Sequence, residues 1–111
     1  DKYYSSANYC TNEEMARQDM LHDLLNRKLR QFSNLNGGIE LNSDINKDIW
    51  RNSTIDKYYF FYNYINSEFD INVNGFCKMP NVVYFKSAQI AKRAIEEVVK
   101  PFMKEHKEFV W

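Results

Sequence analysis

The side chains able to do covalent or acid–base chemistry are few and poorly spaced. Cys10 and Cys77 lie far apart with no CxxC pairing, and His22 and His106 are the only histidines, so neither a zinc cluster nor a redox motif is spelled out. A cysteine nucleophile with a histidine base would need a local signature, and none surrounds either thiol. Free buried thiols are the simpler reading; a disulfide would require the two Cβ atoms to meet at about 4 Å. Glu13-Glu14 and Glu96-Glu97 are adjacent acids, and neighbours on a helix diverge by about 100°, which keeps them from sharing a substrate. No glycine-rich phosphate cradle occurs. These residues lead to the expectation of no enzyme, no cofactor and no metal.

Charge narrows the partners further. Fifteen Lys and Arg balance fifteen Asp and Glu in 111 residues, so the basic field that drives nonspecific binding to phosphate backbones is absent. No window approaches the roughly 20 apolar residues of a membrane span, and no charged-then-apolar leader opens the chain. The expectation is a soluble, intracellular protein. Asp1 in place of an initiator Met points to a piece of a longer protein. Asn52-Ser53-Thr54 has glycosylation form but reads as chance without a secretory signal. Heavy use of Asn, Ile, Lys, Tyr and Phe suggests a low-GC genome.

The clearest element is the last one. Val82 to Phe85 reads as a strand, Lys86-Ser87 as a turn with Ser87 as N-cap, and the stretch from Ala88 onward as an amphipathic helix. In that helix Ile90, Ala94, Val98 and Phe102 form one row beside Ala91, Ile95, Val99 and Met103. Pro101 removes an amide and predicts a kink or restart. Phe109, Val110 and Trp111 are apolar enough to dock on the core. The same pattern occurs near the start, where Tyr9 to Met20 overlays Tyr84 to Ile95 without a gap. We read an internal repeat of strand, turn and helix, with units at about 7–33 and 82–106. The first unit then has a strand over Ala7 to Cys10 and a helix opening at the capping box Thr11-Asn12-Glu13-Glu14. Its apolar face is Ala16, Met20, Leu21, Leu24, Leu25, Leu29 and Phe32, and it stops near Phe32 or Ser33, where Asn34 to Gly38 offer turn formers and a permissive glycine.

Between the units, residues 38 to 56 read as an irregular connection, with a short strand at Ile39 and Leu41 and anchors at Ile45, Ile49 and Trp50. Lys57 to Ile65 is an aromatic-rich strand, turned by Asn66-Ser67-Glu68. Phe69, Ile71 and Val73 then alternate with Asp70, Asn72 and Asn74 as in a half-buried strand. If Phe69, Ile71, Val73, Val83 and Phe85 face the helices, the other face carries Asp70, Asn72, Tyr84 and one row of the aromatic strand, namely Tyr58, Phe60, Tyr62 and Tyr64. Tyrosine-rich sheet faces suit protein recognition. The candidate partner-binding set is therefore Tyr58, Tyr62, Tyr64, Asp70, Asn72 and Tyr84. The competing reading is that a second layer from residues 38 to 56 covers that face. Only Lys57 and Lys78 are basic in the hairpin region, a poor footprint for nucleic acid.

Asn8-Tyr9-Cys10-Thr11 with Glu13-Glu14-Met15-Ala16, the run Lys57-Tyr58-Tyr59-Phe60-Phe61-Tyr62, and Val83-Tyr84-Phe85-Lys86-Ser87 followed by Ile90 to Glu97 together resemble a family of small proteins. These are carried by phages and prophages of low-GC Gram-positive bacteria. The resemblance covers nearly the whole chain and marks strand-to-helix corners. It implies a phage-encoded protein acting in the cytoplasm of a bacterial host, with a host or phage protein as partner. Three strands followed by such a helix are also similar to the DNA-binding sheets of phage integrase arms and plant AP2 domains, without their basic face. The expected architecture is a single α+β domain over residues 1–111, an antiparallel β-meander packed against two helices. The expected function is a non-catalytic interaction protein, an inhibitor of a bacterial defence system such as CRISPR-Cas. The alternative is a DNA-binding regulatory or recombination accessory domain, and self-association is a third possibility.

Overall fold

The computed structural model describes residues 2–37, 50–52, 55–74, 78–79 and 81–111, with side chains in the first helix from Asn12 onward. The fold is α+β. One long helix, α1 (Lys2–Leu35), precedes a two-stranded antiparallel hairpin of β1 (Lys57–Asn63) and β2 (Glu68–Asn74). A C-terminal helical rod then runs through α2 (Ala88–Ala94), a π-helical turn (Ile95–Val99) and α3 (Lys100–Glu105). The strand readings at Ile39 and Leu41, the anchors at Ile45 and Ile49, and the state of Cys10 and Cys77 lie outside the described residues and side chains.

The first helix overturns one expectation. Residues 7–10 are helical, not extended, and α1 runs through Thr11-Asn12-Glu13-Glu14 without starting there. No glycine or proline interrupts Lys2 to Leu35, so nothing forces a boundary and the capping pattern stays inside the helix. At about 1.5 Å per residue its 34 residues span roughly 51 Å, matching the 50 Å long axis of the molecule. The core reaches only part of it. Leu21, Leu25, Leu29 and Ser33 are buried in register on one face, with Leu24 and Phe32 half-buried beside them. Ala16 is exposed and Met20 is 62% exposed, contrary to the apolar face read from the sequence: they line an open cleft beside α1 and do not enter the core. The helix runs to Leu35, past the expected stop at Phe32 or Ser33, and ends in the turn formers read from the sequence. Asn36 donates its side-chain amide to the Phe32 carbonyl at 2.9 Å, and Gly37 follows at φ +129°, where a Cβ would meet Lys86 at 2.8 Å. Only glycine fits there.

The C-terminal rod forms as the spacing predicts. The Ser87 hydroxyl accepts from the Ile90 amide at 3.1 Å as N-cap. Ala91, Ala94, Ile95, Val99 and Phe102 are buried, with Ile90, Val98 and Met103 at the margins. The restart expected at Pro101 is the π turn just before it, where Lys100 donates to Ile95 in place of the normal i−4 carbonyl. The wider turn accommodates a ring that would otherwise press on the preceding turn.

The hairpin register pairs Tyr58 with Val73, Phe60 with Ile71 and Tyr62 with Phe69. Residues directly opposite share a face, so these six form the helix-facing side, with Phe60 buried against Phe85 and Phe69. This corrects the placement of Tyr58, Phe60 and Tyr62 on the outer face beside Asp70 and Asn72. The outer face instead holds Tyr59 opposite Asn72 and Phe61 opposite Asp70. Val82 to Phe85 is not a full strand. It makes one antiparallel bridge, Tyr58 to Phe85, through backbone bonds of 2.9 and 2.7 Å, and it does so beside β1 rather than β2. The spatial order is thus β2, β1, then the Phe85 bridge.

The tail closes the core through Phe109 and Trp111, whereas Val110, expected to dock with them, is 63% exposed. Phe109 is buried between His22 and Phe102, with ring centroids 4.5 and 5.4 Å away. The Gln18 side chain grips the tail from α1, donating to the Glu108 carbonyl at 2.5 Å and accepting from the Val110 amide at 2.9 Å. His22 bonds the Val110 carbonyl at 2.7 Å.

Candidate protein-recognition site

The six residues singled out from the sequence fall into three places. Tyr84 is fully buried. It points away from the helices, as expected, but a second layer covers it: Trp50 packs edge-on at 4.6 Å and Tyr59 at 5.6 Å, while its hydroxyl accepts from the Met79 amide at 3.0 Å. Lys57 completes this layer. Its side chain is buried, its ammonium donates to the Asn52 carbonyl at 2.8 Å and lies 5.1 Å from the Trp50 ring centroid. Burial in this aromatic surround pushes the Lys57 pKa below its ordinary value, with nearby Asp56 partly opposing the shift. The competing reading of a covering layer from residues 38 to 56 is therefore realised at Trp50, over one end of the outer face.

Asp70 and Asn72 lie on the outer face beyond that cover, and both are committed to local bonds. Asp70 accepts from the Asn63 amide at 3.0 Å, and Asn72 accepts from the Val73 backbone amide at 2.8 Å. Tyr58 is half-buried next to the bridge. Tyr62 and Tyr64, by contrast, come together with residues the sequence reading did not connect to them.

That meeting place is the hairpin tip. Residues 64–67 form a four-residue loop between the last pair, Asn63 and Glu68. Asn63 builds it: its side-chain oxygen accepts from the Ile65 amide at 2.9 Å, an Asx turn, while its nitrogen reaches Asp70. Ser67 sits at φ 56°, closing the loop. Beneath the loop the rings interlock. Tyr62 meets Tyr64 at 4.9 Å and Phe69 at 5.0 Å, and Phe69 meets Trp111 at 5.1 Å, all edge to face. The Tyr64 hydroxyl donates to the Trp111 carbonyl, tying the loop to the C-terminal tail. The sequence signal for this tie is the apolar run Phe109-Val110-Trp111; its docking partner is not legible there.

The tip presents Tyr64, 65% exposed, and Ile65, 97% exposed. The nearest charges in the hairpin are Glu68 and Asp70. An open cleft of about 1060 Å³ runs elsewhere, between α1 and β1, with Asp19, Asp23, Arg27 and Arg30 along one wall and Phe60, Phe61 and Val83 opposite. Its mixed charges and shallow apolar floor give it no convergent chemistry. Among the described residues no three His, Cys, Asp or Glu side chains gather as for a metal, and no helix is long and apolar enough to cross a membrane. No family model matches the chain, and neither the curated proteins nor the solved structures searched include one similar to it.

Proposed function

We propose that the chain is a non-catalytic interaction protein that binds a host protein through the β1–β2 hairpin tip. Its role is that of a phage-encoded inhibitor of a bacterial defence system such as CRISPR-Cas, acting in the host cytoplasm. One observation carries the binding part: an isoleucine 97% exposed on a loop locked by Asn63 below and tied by Tyr64 to Trp111. A large apolar side chain on a rigid support loses little entropy on docking, which is the character of an interface hot spot. The phage and defence-inhibitor part rests on the resemblance of the strand-to-helix corner and the tyrosine-rich hairpin described above. The DNA-binding alternative is less well supported, because of the two hairpin-region lysines Lys57 is buried, which leaves Lys78, exposed and 5.8 Å from the Trp50 ring, as a thin footprint for phosphate.

Affinity capture from a CRISPR-carrying host, run with wild type and with Tyr64→Ser and Ile65→Ser variants, tests the reading. The expected result is recovery of a defence effector by wild type and a loss of about 2 kcal/mol, roughly 30-fold in affinity, in each variant. Capture of no effector together with unchanged phage sensitivity would overturn it. Salt-sensitive retention on duplex DNA would favour the alternative.

A further inference from the structure

Among the described residues no strand pairs with the outer edge of β2. Tyr58 directs its amide and carbonyl toward Phe85, so in the β1–β2 ladder its row forms the non-hydrogen-bonded pairs. The partners in that row, Phe69, Ile71 and Val73, therefore aim their own amides and carbonyls away from β1. The Val73 amide confirms the direction, since it is taken by the adjacent Asn72 side chain at 2.8 Å. Among the described residues nothing pairs with the outward backbone groups of Phe69 and Ile71. Natural edge strands are usually blunted by Lys, Pro or a bulge, and Glu68 to Asn74 contains no Lys or Pro. Val73 is also 45% exposed, on the helix-facing row.

We infer that this edge is a self-association site, at which β2 of a second copy of this chain adds antiparallel about a two-fold axis at Ile71. The strand is self-complementary in that register alone. Ile71 faces Ile71, Phe69 faces Val73, Asp70 faces Asn72 and Glu68 faces Asn74, so every apolar residue meets an apolar one and no acid meets an acid. Moving the axis to Asp70 sets Asp70 against itself; moving it to Phe69 sets Asp70 against Glu68. Moving it toward Val73 leaves Phe69 unpaired. About six backbone hydrogen bonds form, including one from Val73 once Asn72 releases it. The two hairpins become a four-stranded sheet, which is more stable than an isolated two-stranded one. A balance of 15 cationic and 15 anionic side chains imposes no net repulsion between copies. The two tips point to opposite ends of the joined sheet, so one dimer presents Tyr64 and Ile65 twice.

Sedimentation equilibrium of the full chain from about 10 μM to about 1 mM, a range suited to a small interface, tests this together with amide hydrogen exchange. Wild type is expected to dimerise, with exchange at Phe69 and Ile71 slowing as concentration rises. Val73→Lys puts a cation at an exposed edge position, and Ile71→Pro deletes an outward donor without touching the ladder to β1. Both are expected to stay monomeric with unchanged far-ultraviolet circular dichroism, whereas Ile65→Ser at the tip leaves the dimer intact. Failure of the tip reading alone would thus be told apart. A wild type that remains monomeric at the highest concentration would overturn the inference. So would a dimer in which the Phe69 and Ile71 amides exchange at the monomer rate.

Discussion

Trp111 is the keystone between the tail and the hairpin, and Trp111→Ala measures how firmly the tip is held. The ring is half-buried and meets Phe60 at 5.9 Å, Phe69 at 5.1 Å and Phe109 at 5.8 Å. A fully buried Trp or Phe truncated to Ala costs about 3–5 kcal/mol, and half burial scales that to roughly 2. The three ring pairs, at about 0.5–1.5 kcal/mol each, give the same order. For a domain of 111 residues, at roughly 4 °C per kcal/mol, the melting temperature should fall by about 8 °C. The loss is also local. Without the ring the tail no longer packs under Phe69, so the amides of residues 64–67 should exchange faster even at temperatures well below melting. Thermal unfolding by circular dichroism gives the first quantity and hydrogen exchange the second. Trp111→Phe keeps an aromatic in place and should recover about half of both. A melting shift below about 2 °C, with tip exchange unchanged, would refute the idea that the tail organises the tip.

Two further perturbations probe the layers on either side of the sheet. Burial lowers the Lys57 pKa from 10.5, so the folded state releases this proton before the unfolded state does. Between the lowered value and 10.5 the unfolded chain binds more protons, and stability rises with pH there. Urea titrations from neutral to alkaline pH should show wild type gaining stability relative to Lys57→Met as pH climbs toward 10.5; parallel curves would contradict the burial. Ser33→Ala removes a buried hydroxyl that donates to the Tyr84 carbonyl at 2.5 Å, for an expected loss of about 1–2 kcal/mol in urea unfolding. A loss under about 0.5 would mean that another donor serves that carbonyl.

An element is legible in the sequence when the contacts that decide it are local. The C-terminal rod can be read because Ser87, two adjoining apolar rows and Pro101 all act within a few residues of themselves. The alternation of Phe69, Ile71 and Val73 marks β2 for the same reason. β1 resists, since Tyr58 to Tyr62 is aromatic at every position and offers no alternation from which to choose a face. The choice comes from β2 through a four-residue loop, and the sequence pattern puts that loop two residues late, at Asn66 to Glu68. Tyr64 stands among the sequence candidates. Ile65, the most exposed residue of the tip, does not, because the pattern counts it as strand. Met20 and Leu21 are equally apolar neighbours on α1; only the position of the C-terminal rod and tail against α1 decides that Leu21 is buried and Met20 is not.

The apparent repeat makes the same point most directly. Tyr9 to Met20 and Tyr84 to Ile95 overlay without a gap and share an aromatic start, a small polar residue at Asn12 and Ser87 and alanine at Ala16 and Ala91, yet the first is helical throughout and the second is a bridge, a bend and then a helix. Local propensity alone cannot separate them. Tyr84 and Phe85 are held extended by partners distant in sequence: the Tyr58 backbone bonds Phe85, Ser33 bonds the Tyr84 carbonyl, and Gly37 leaves the room that Lys86 occupies. The unbroken helical run from Lys2 onward carries the helix through Tyr9 instead. Tyr84 to Ser87 is thus a corner because Ser33, Gly37 and the Tyr58 backbone hold it from outside, and replacing Ser33 and Gly37, rather than any residue from Tyr84 to Ile95, is what should soften it.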